Sequence, residues 1–170
     1  VTGKDLSKVV SKIKGEKGTT VELTVLRGEN AKEVTVTATR DTVQAQTIEY
    51  KLMDDKIGYI RVSEFDTVTY DQYEEALDDL EKQGMTGLVV DLRNNPGGSL
   101  STVCDMLDLM LPKGLIVYTE DKNGKKTEMK SDEEHQFTKP LAVLVNGNSA
   151  SASEIYSGAI QDYGIGKIVG

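Results

Sequence analysis

The stretch 87–101, GLVVDLRNNPGGSLS, decides the fold. Its first part, GLVVDL, is nearly all apolar and reads as a strand buried on both faces. RNNPGG is a turn, and SLSTVCDMLDLML continues as a helix. Leu100, Val103, Cys104, Leu107, Met110 and Leu111 share that helix's inward face. The stretch 141–155, LAVLVNGNSASASEI, has the same design: buried strand, small-residue turn, helix. Its helix, SASEIYSGAIQDYG, carries Ile155, Ala159 and Ile160 on the apolar side. Between the two units, LIVYTE, the turn DKNGKK and TEMK read as a hairpin. Upstream, IGYIRVSEF is a strand and TYDQYEEALDDLEKQG a helix with Tyr73, Ala76, Leu77 and Leu80 on one face. Thr69 with Gln72 resembles a capping box at its start. This alternation of strands and helices predicts an α/β domain.

The first 42 residues follow another pattern. GKDLSKVVSKIKGEKG spaces Leu6, Val9, Val10 and Ile13 as a helix that Gly15 and Gly18 stop. Val21, Leu23 and Val25 alternate with polar residues, RGEN turns, and Val34, Val36 and Ala38 alternate again, which reads as a β-hairpin. One short helix and a hairpin bury little surface alone, so this segment reads as part of a larger module. Residues 43–55 read as a polar, extended connector, with the α/β domain over 56–170.

Composition narrows the function classes. With 38% hydrophobic and 28% charged residues, the chain reads as an ordinary globular protein. A net charge of −8 and no basic stripe argue against a nucleic-acid partner. No apolar run approaches the roughly 18 residues of a membrane helix. One cysteine, Cys104, excludes an internal disulfide and sits on an apolar helix face, as a core residue would. The opening Val1, in place of Met, reads as the start of a cut or processed piece.

Chemistry points to the two strand–turn–helix units. Ligands collect beyond the C-terminal ends of strands in such folds. Free N–H groups at helix starts there carry partial positive charge, and two such turns side by side can aim N–H groups at one developing oxyanion. Gly97 and Gly98 allow close backbone approach, and Ala150 and Ala152 leave room around a projecting serine. Spacing alone leaves a plain reading open: NPGG is a common turn, and Ser and Asn are ordinary helix caps. No phosphate loop is present, and one His with one Cys cannot supply a zinc set, so neither metal nor cofactor is expected. His135, in the polar stretch SDEEHQ, reads as a solvated loop residue rather than a triad member. Glu154 is placed where a helix start favours negative charge, and Asp91 with Arg93 could form an ion pair that braces the NPGG turn.

GYIRVSEF, GLVVDLRNNPGGSL, LAVLVNGNSASASEI and GAIQDYG together resemble the signature blocks, in order, of the carboxy-terminal processing peptidases or tail-specific proteases, Ser-Lys endopeptidases of the S41 type. The resemblance extends to VTGKDLSKVVSKIKGEKGTTVELTVLRG, which is similar to the second half of that family's PDZ module. It implies a crotonase/ClpP-like core preceded by a partial PDZ-like segment. It implies Ser151 as nucleophile, flanked by Ser149 and Ser153 in supporting, capping roles. The oxyanion hole would be backbone N–H of Gly97 or Gly98 and of Ala152, and Asp162 has an acidic counterpart that could give support. The substrate would be a peptide or protein with an apolar C-terminal end. The setting would be extracytoplasmic, in periplasm or cell envelope, and a homo-oligomer is allowed. The family's base is a lysine about 25 residues after the serine. Lys167 precedes that position and reads as a surface lysine in a turn. The expectation is therefore a piece that lacks its base and part of its PDZ module, inactive as it stands. The other readings are a crotonase-like acyl-CoA enzyme and a non-catalytic peptide-binding scaffold.

Overall fold

The computed structural model describes residues 5–28, 30–42, 44–132 and 134–170. They form two compact units that divide between Gln44 and Ala45.

The first unit is a helix and a hairpin. Helix α1 (Leu6–Ile13) starts at Asp5, whose carboxylate accepts the Ser7 N–H at 3.0 Å. Strands β1 (Thr20–Arg27) and β2 (Lys32–Thr39) pair antiparallel from Thr20–Thr39 to Arg27–Lys32. Arg40 ties the two parts: its guanidinium donates to Ile13 O at 2.7 Å, Thr19 Oγ1 at 2.9 Å and Thr20 O at 3.0 Å. None of this unit's described residues is fully buried, as expected for so small an assembly.

The second unit is a five-stranded sheet under three helices. Its strands are β3 (Ile48–Leu52), β4 (Ile57–Val62), β5 (Gly87–Asp91), β8 (Leu141–Leu144) and β9 (Lys167–Val169), side by side in that order. β3 runs antiparallel to β4, and the other four strands are parallel. The register aligns Ile60, Val90, Val143 and Ile168 in one row and Leu88 with Leu141 in the next. Helices α2 (Thr69–Lys82), α3 (Leu100–Asp108) and α4 (Ala152–Asp162) complete the core with Tyr73, Leu80, Val103, Leu107, Tyr156 and Ile160, all fully buried. β6 (Gly114–Glu120) and β7 (Lys126–Ser131) form a separate antiparallel hairpin. Cys104 lies 6% exposed with its Sγ 3.3 Å from Met129 Sδ, and burial pushes its thiol up.

Four sequence expectations change. The connector contributes β3, which pairs with β4, and Gln72 does not cap α2. Its side chain instead accepts the Thr47 and Ile48 N–H groups at 3.0 and 3.2 Å and donates to Ala45 O at 2.8 Å, which seats the edge strand. β5 and β8 are not closed on both faces: Val89, Ala142 and Leu144 stay half-exposed, since the helices cover only the other side. Lys167 lies in a strand, its Cα paired with Ala142. Tyr156, on which the apolar pattern was silent, also joins the core, where its hydroxyl meets that of Tyr73 at 2.8 Å.

The open face of the sheet carries a polar cluster. Asp91, 2% exposed, accepts the Arg93 Nη2–H at 2.6 Å, the Tyr59 hydroxyl at 2.6 Å and the Arg93 backbone N–H at 2.9 Å. Burial alone would raise its carboxyl, but the hydrogen bonds from Arg93 and Tyr59 outweigh that and hold it at about 2. The ion pair therefore braces the first residues of the turn that follows β5.

Two predictions follow from these buried contacts. Tyr73 also donates to Met110 Sδ at 3.3 Å, which leaves Tyr156 to donate to Tyr73. Urea unfolding should show Tyr73→Phe less stable by about 1–2 kcal/mol, because the Tyr156 hydroxyl loses its acceptor. Tyr73→Phe/Tyr156→Phe should lose less than the two single changes added. For Asp91 the folded pKa lies below the unfolded value near ~3.9, so its stabilisation is present above that pH and lost as pH falls towards 2. Asp91→Asn should cost about 1–2 kcal/mol at pH 7, discounted for the half-exposed Arg93. The difference from wild type should shrink between about pH 4 and 2; a pH-independent difference contradicts the ion-pair account.

Candidate active site

The two turns leave the C-terminal ends of neighbouring parallel strands, β5 and β8, and stack on each other. Asn94 (φ 62°), Gly97 (φ 103°), Gly98 (φ 145°) and Ser151 (φ 54°) all take left-handed backbone conformations. Close packing demands the glycines. A Cβ on Gly97 would lie 2.7 Å from Ala150 O, 2.8 Å from Ser151 Cβ and 2.9 Å from Ala152 N. A Cβ on Gly98 would run into the backbone of Phe65, just past β4.

Ser151 sits exposed at the point where the β8 turn becomes α4. A non-glycine residue there costs of order 1–3 kcal/mol and persists only where its surroundings over-determine it. Here they do. The Ser151 N–H donates to Glu154 Oε2 at 2.7 Å, and its carbonyl accepts the Glu154 and Ile155 N–H groups at 2.9 and 3.1 Å. Glu154 thus holds the serine's backbone, besides carrying charge at a helix start. Ala150 N–H, one residue earlier, donates to Asn95 O at 3.1 Å.

The flanking serines staple the turns together. Ser149 Oγ donates to Leu92 O at 2.8 Å and accepts the Asn146 N–H at 3.0 Å. Ser153 Oγ, fully buried, donates to Asn95 O at 3.0 Å. Both were expected to cap a helix; they bridge to the other turn instead. At the rim, Asn94 Oδ1 accepts from the side chains of Asn146 and Asn148 at 3.0 and 2.9 Å. Sequence reasoning missed Asn95 and this amide network, because Asn in a turn carries no periodicity and is usually explained by the turn alone.

The backbone donors separate. Gly97 N–H is engaged, donating to the Asn95 side-chain Oδ1 at 2.8 Å. Of the expected oxyanion donors, Gly98 N–H and Ala152 N–H find no acceptor among the described residues. Gly97 O accepts the Phe65 N–H at 2.9 Å. In a trans peptide the next N–H points opposite to that carbonyl, so Gly98 N–H faces away from Phe65. Ala152 N–H belongs to the first turn of α4, where intrahelical partners are lacking. An unpartnered donor next to the exposed Ser151, at Ala152, and a second in the turn packed against it, at Gly98, can stabilise negative charge on an oxygen held between them.

Other expected residues lie elsewhere. Asp162 ends α4, whose eleven residues place it roughly 16 Å along the axis from Ser151. His135 is exposed and lines a surface hollow with Glu74, Asp78, Glu81 and Phe137. Lys167 is exposed and level with Ala142 near the start of β8, whereas the site loops leave from strand ends. Among the described residues, no group of three or more His, Cys, Asp or Glu side chains could hold a metal ion.

Comparison with known proteins bears on this geometry. The family described as peptidase family S41 matches residues 56–170. The chain is 37% identical over 163 residues to the carboxy-terminal processing protease CtpA of Bacillus subtilis (strain 168), covering 95% of this chain and 35% of that protein. It is 37% identical over 169 residues to a carboxyl-terminal-processing protease of Synechocystis sp., covering 97% and 40%. Among solved structures, the photosystem II D1 C-terminal processing protease matches with TM-score 0.66 at 30% identity, over 99% of this chain and 47% of that one. The chain thus spans 35–40% of the length of these curated relatives. A strained serine between two stacked strand–turn–helix units, and a family match that spans both units, place this chain in peptidase family S41.

Proposed function

We propose that this chain carries the nucleophile and the oxyanion hole of a serine endopeptidase that processes protein substrates near an apolar C-terminal end. One observation carries the reading: Ser151 is exposed, at φ 54°, directly before Ala152 with its unpartnered N–H, and the turn that holds Gly97 and the unpartnered Gly98 N–H packs against it. Ser151 Oγ attacks the scissile carbonyl, and the two N–H groups take the charge on its oxygen. Collapse of the intermediate breaks the C–N bond, the amine leaves with the proton taken from Ser151, and water then hydrolyses the acyl-enzyme to free the serine. Gly97, with its N–H engaged, has a spacing role in this scheme.

A neutral lysine would accept the serine's proton. The resemblance puts it about 25 residues after the serine, so the proposal takes it from outside residues 1–170. Substrate capture next to an apolar C-terminus, a PDZ-like identity for the first unit, a crotonase/ClpP-like identity for the second, extracytoplasmic work and self-association belong to the same proposal. The family resemblance supports them. Backbone order supports the PDZ-like reading, since α1 leads directly into an antiparallel hairpin.

The test uses the full-length gene product that contains this chain. It is incubated with a fluorophosphonate probe and with peptides that end in apolar or charged residues, and products are read by mass spectrometry. Label on Ser151 and cleavage of the apolar-tailed peptides are expected. Ser151→Ala should lose the label and at least about 10⁴-fold in kcat. Cleavage that survives Ser151→Ala, or label on another serine, overturns the assignment.

A further inference from the structure

The feature of the site that neither the family match nor the proposed chemistry explains is Asn95. It is fully buried, and every polar atom it carries is used. Its side-chain Nδ2 donates to Val62 O, the last carbonyl of β4, at 2.9 Å. Its Oδ1 accepts the Gly97 N–H at 2.8 Å. Its backbone carbonyl accepts both Ala150 N–H at 3.1 Å and Ser153 Oγ–H at 3.0 Å, and its own N–H donates to Leu92 O at 3.1 Å. One residue thus joins the end of β4, the turn after β5 and the turn that enters α4.

We propose that Asn95 is a positioning residue for the oxyanion pocket: its buried side-chain amide ties the NPGG turn to the end of β4, its backbone carbonyl ties it to the Ser151 turn, and the amide so aims Gly98 N–H. The inference rests on the peptidase reading above. Asn95 touches none of the reacting atoms; it acts through Gly97 and Gly98.

The geometry is specific to asparagine. Gly97 is held on both sides: its N–H, in the Pro96–Gly97 peptide, by Asn95, and its carbonyl, in the Gly97–Gly98 peptide, by Phe65 N–H. The second contact orients the plane from which Gly98 N–H projects, and the first fixes the plane before it, so together they set the φ and ψ of Gly97 between the two planes. Neither glycine's own preference sets them, since glycine crosses φ/ψ space freely. Without the amide, Gly97 N–H and Val62 O are both orphaned in a dry site. The Pro96–Gly97 peptide can then rotate to find a partner for Gly97 N–H, and through the φ and ψ of Gly97 it displaces the next peptide, which carries Gly98 N–H. Serine has one hydroxyl and reaches only one of the two groups. Ionised aspartate accepts from Gly97 but turns a second oxygen on the Val62 carbonyl, with no donor between them. Protonated aspartate has one donor and one acceptor and reproduces the amide pattern.

The test compares Asn95→Ala, Asn95→Ser and Asn95→Asp in the full-length gene product, with rates expressed per site titrated by fluorophosphonate. Wild type labelled at Ser151 first establishes the underlying reading; wild type without that label removes the reading, and this proposal with it. Given the label, each Asn95 variant should lose kcat by about 100-fold, within the range seen when one oxyanion donor is lost, while KM stays within about 3-fold. For Asn95→Asp, kcat relative to wild type at the same pH should recover as the pH is lowered and the carboxyl protonates. That ratio cancels the titration of the catalytic base, and it decides alone if Asn95→Ala does not fold. Unchanged kcat per titrated site, an effect confined to KM, or a flat Asn95→Asp ratio across pH overturns the positioning role while leaving the Ser151 assignment intact.

Discussion

The site depends on one close approach of two turns. Gly97 lies against Ser151 Cβ and Ala152 N so tightly that any β-carbon there would overlap them. This contact needs two strand ends side by side, which the parallel pairing of β5 with β8 provides. It also needs two turns of small residues, and a left-handed serine at the junction with α4. The strain at Ser151 is offset by hydrogen bonds on both sides of its peptide units, from Glu154 ahead and from Asn95 behind. Ser149 and Ser153 add two more ties across the same seam. The turns therefore behave as one body, and the N–H groups left over at Gly98 and Ala152 share one side of it under the proposed reading.

The body rests on an apolar floor. Ile60, Val90 and Val143 form one buried row under the helices, and Tyr73 and Tyr156 join α2 to α4 above it. On the opposite face Asp91 is locked by Arg93 and Tyr59 directly below the turn. Movement of β5 along its axis would break that cluster and the Leu92–Leu144 hydrogen bond together. The site is thus held by the sheet below and by Asn95 within. This division fits general experience that precise constellations are built on rigid elements and supported by buried hydrogen bonds.

Much of this was legible in the sequence. Apolar runs at 87–92 and 141–145, each followed by small residues and an amphipathic segment, gave both strand–turn–helix units, and the family resemblance picked out Ser151 in the second turn. Three things were hidden, each for a physical reason. β3 is an edge strand in a polar stretch, and its pairing with β4, with Gln72 holding its start, makes it a strand. The open face of β5 and β8 could not be told from a covered one, because apolar residues pack on either side of a strand in the same pattern. Asn95 was hidden in a turn motif, where its residue type already had a sufficient local explanation. Which of two adjacent glycines keeps a free N–H depends on that asparagine, so the sequence left Gly97 and Gly98 equivalent.

The central claim is that Gly98 and Ala152, with Gly97 excluded, supply the donors beside Ser151. A crystal structure of the full-length gene product with a peptide boronic acid addresses it directly, since a boronate bonded to a serine mimics the tetrahedral intermediate. The account predicts a covalent bond from Ser151 Oγ to boron, one boronate oxygen about 2.7–3.1 Å from both Gly98 N and Ala152 N, and Gly97 N–H still bonded to Asn95. A boronate oxygen held by Gly97 N–H, or one pointing away from both turns, would contradict it.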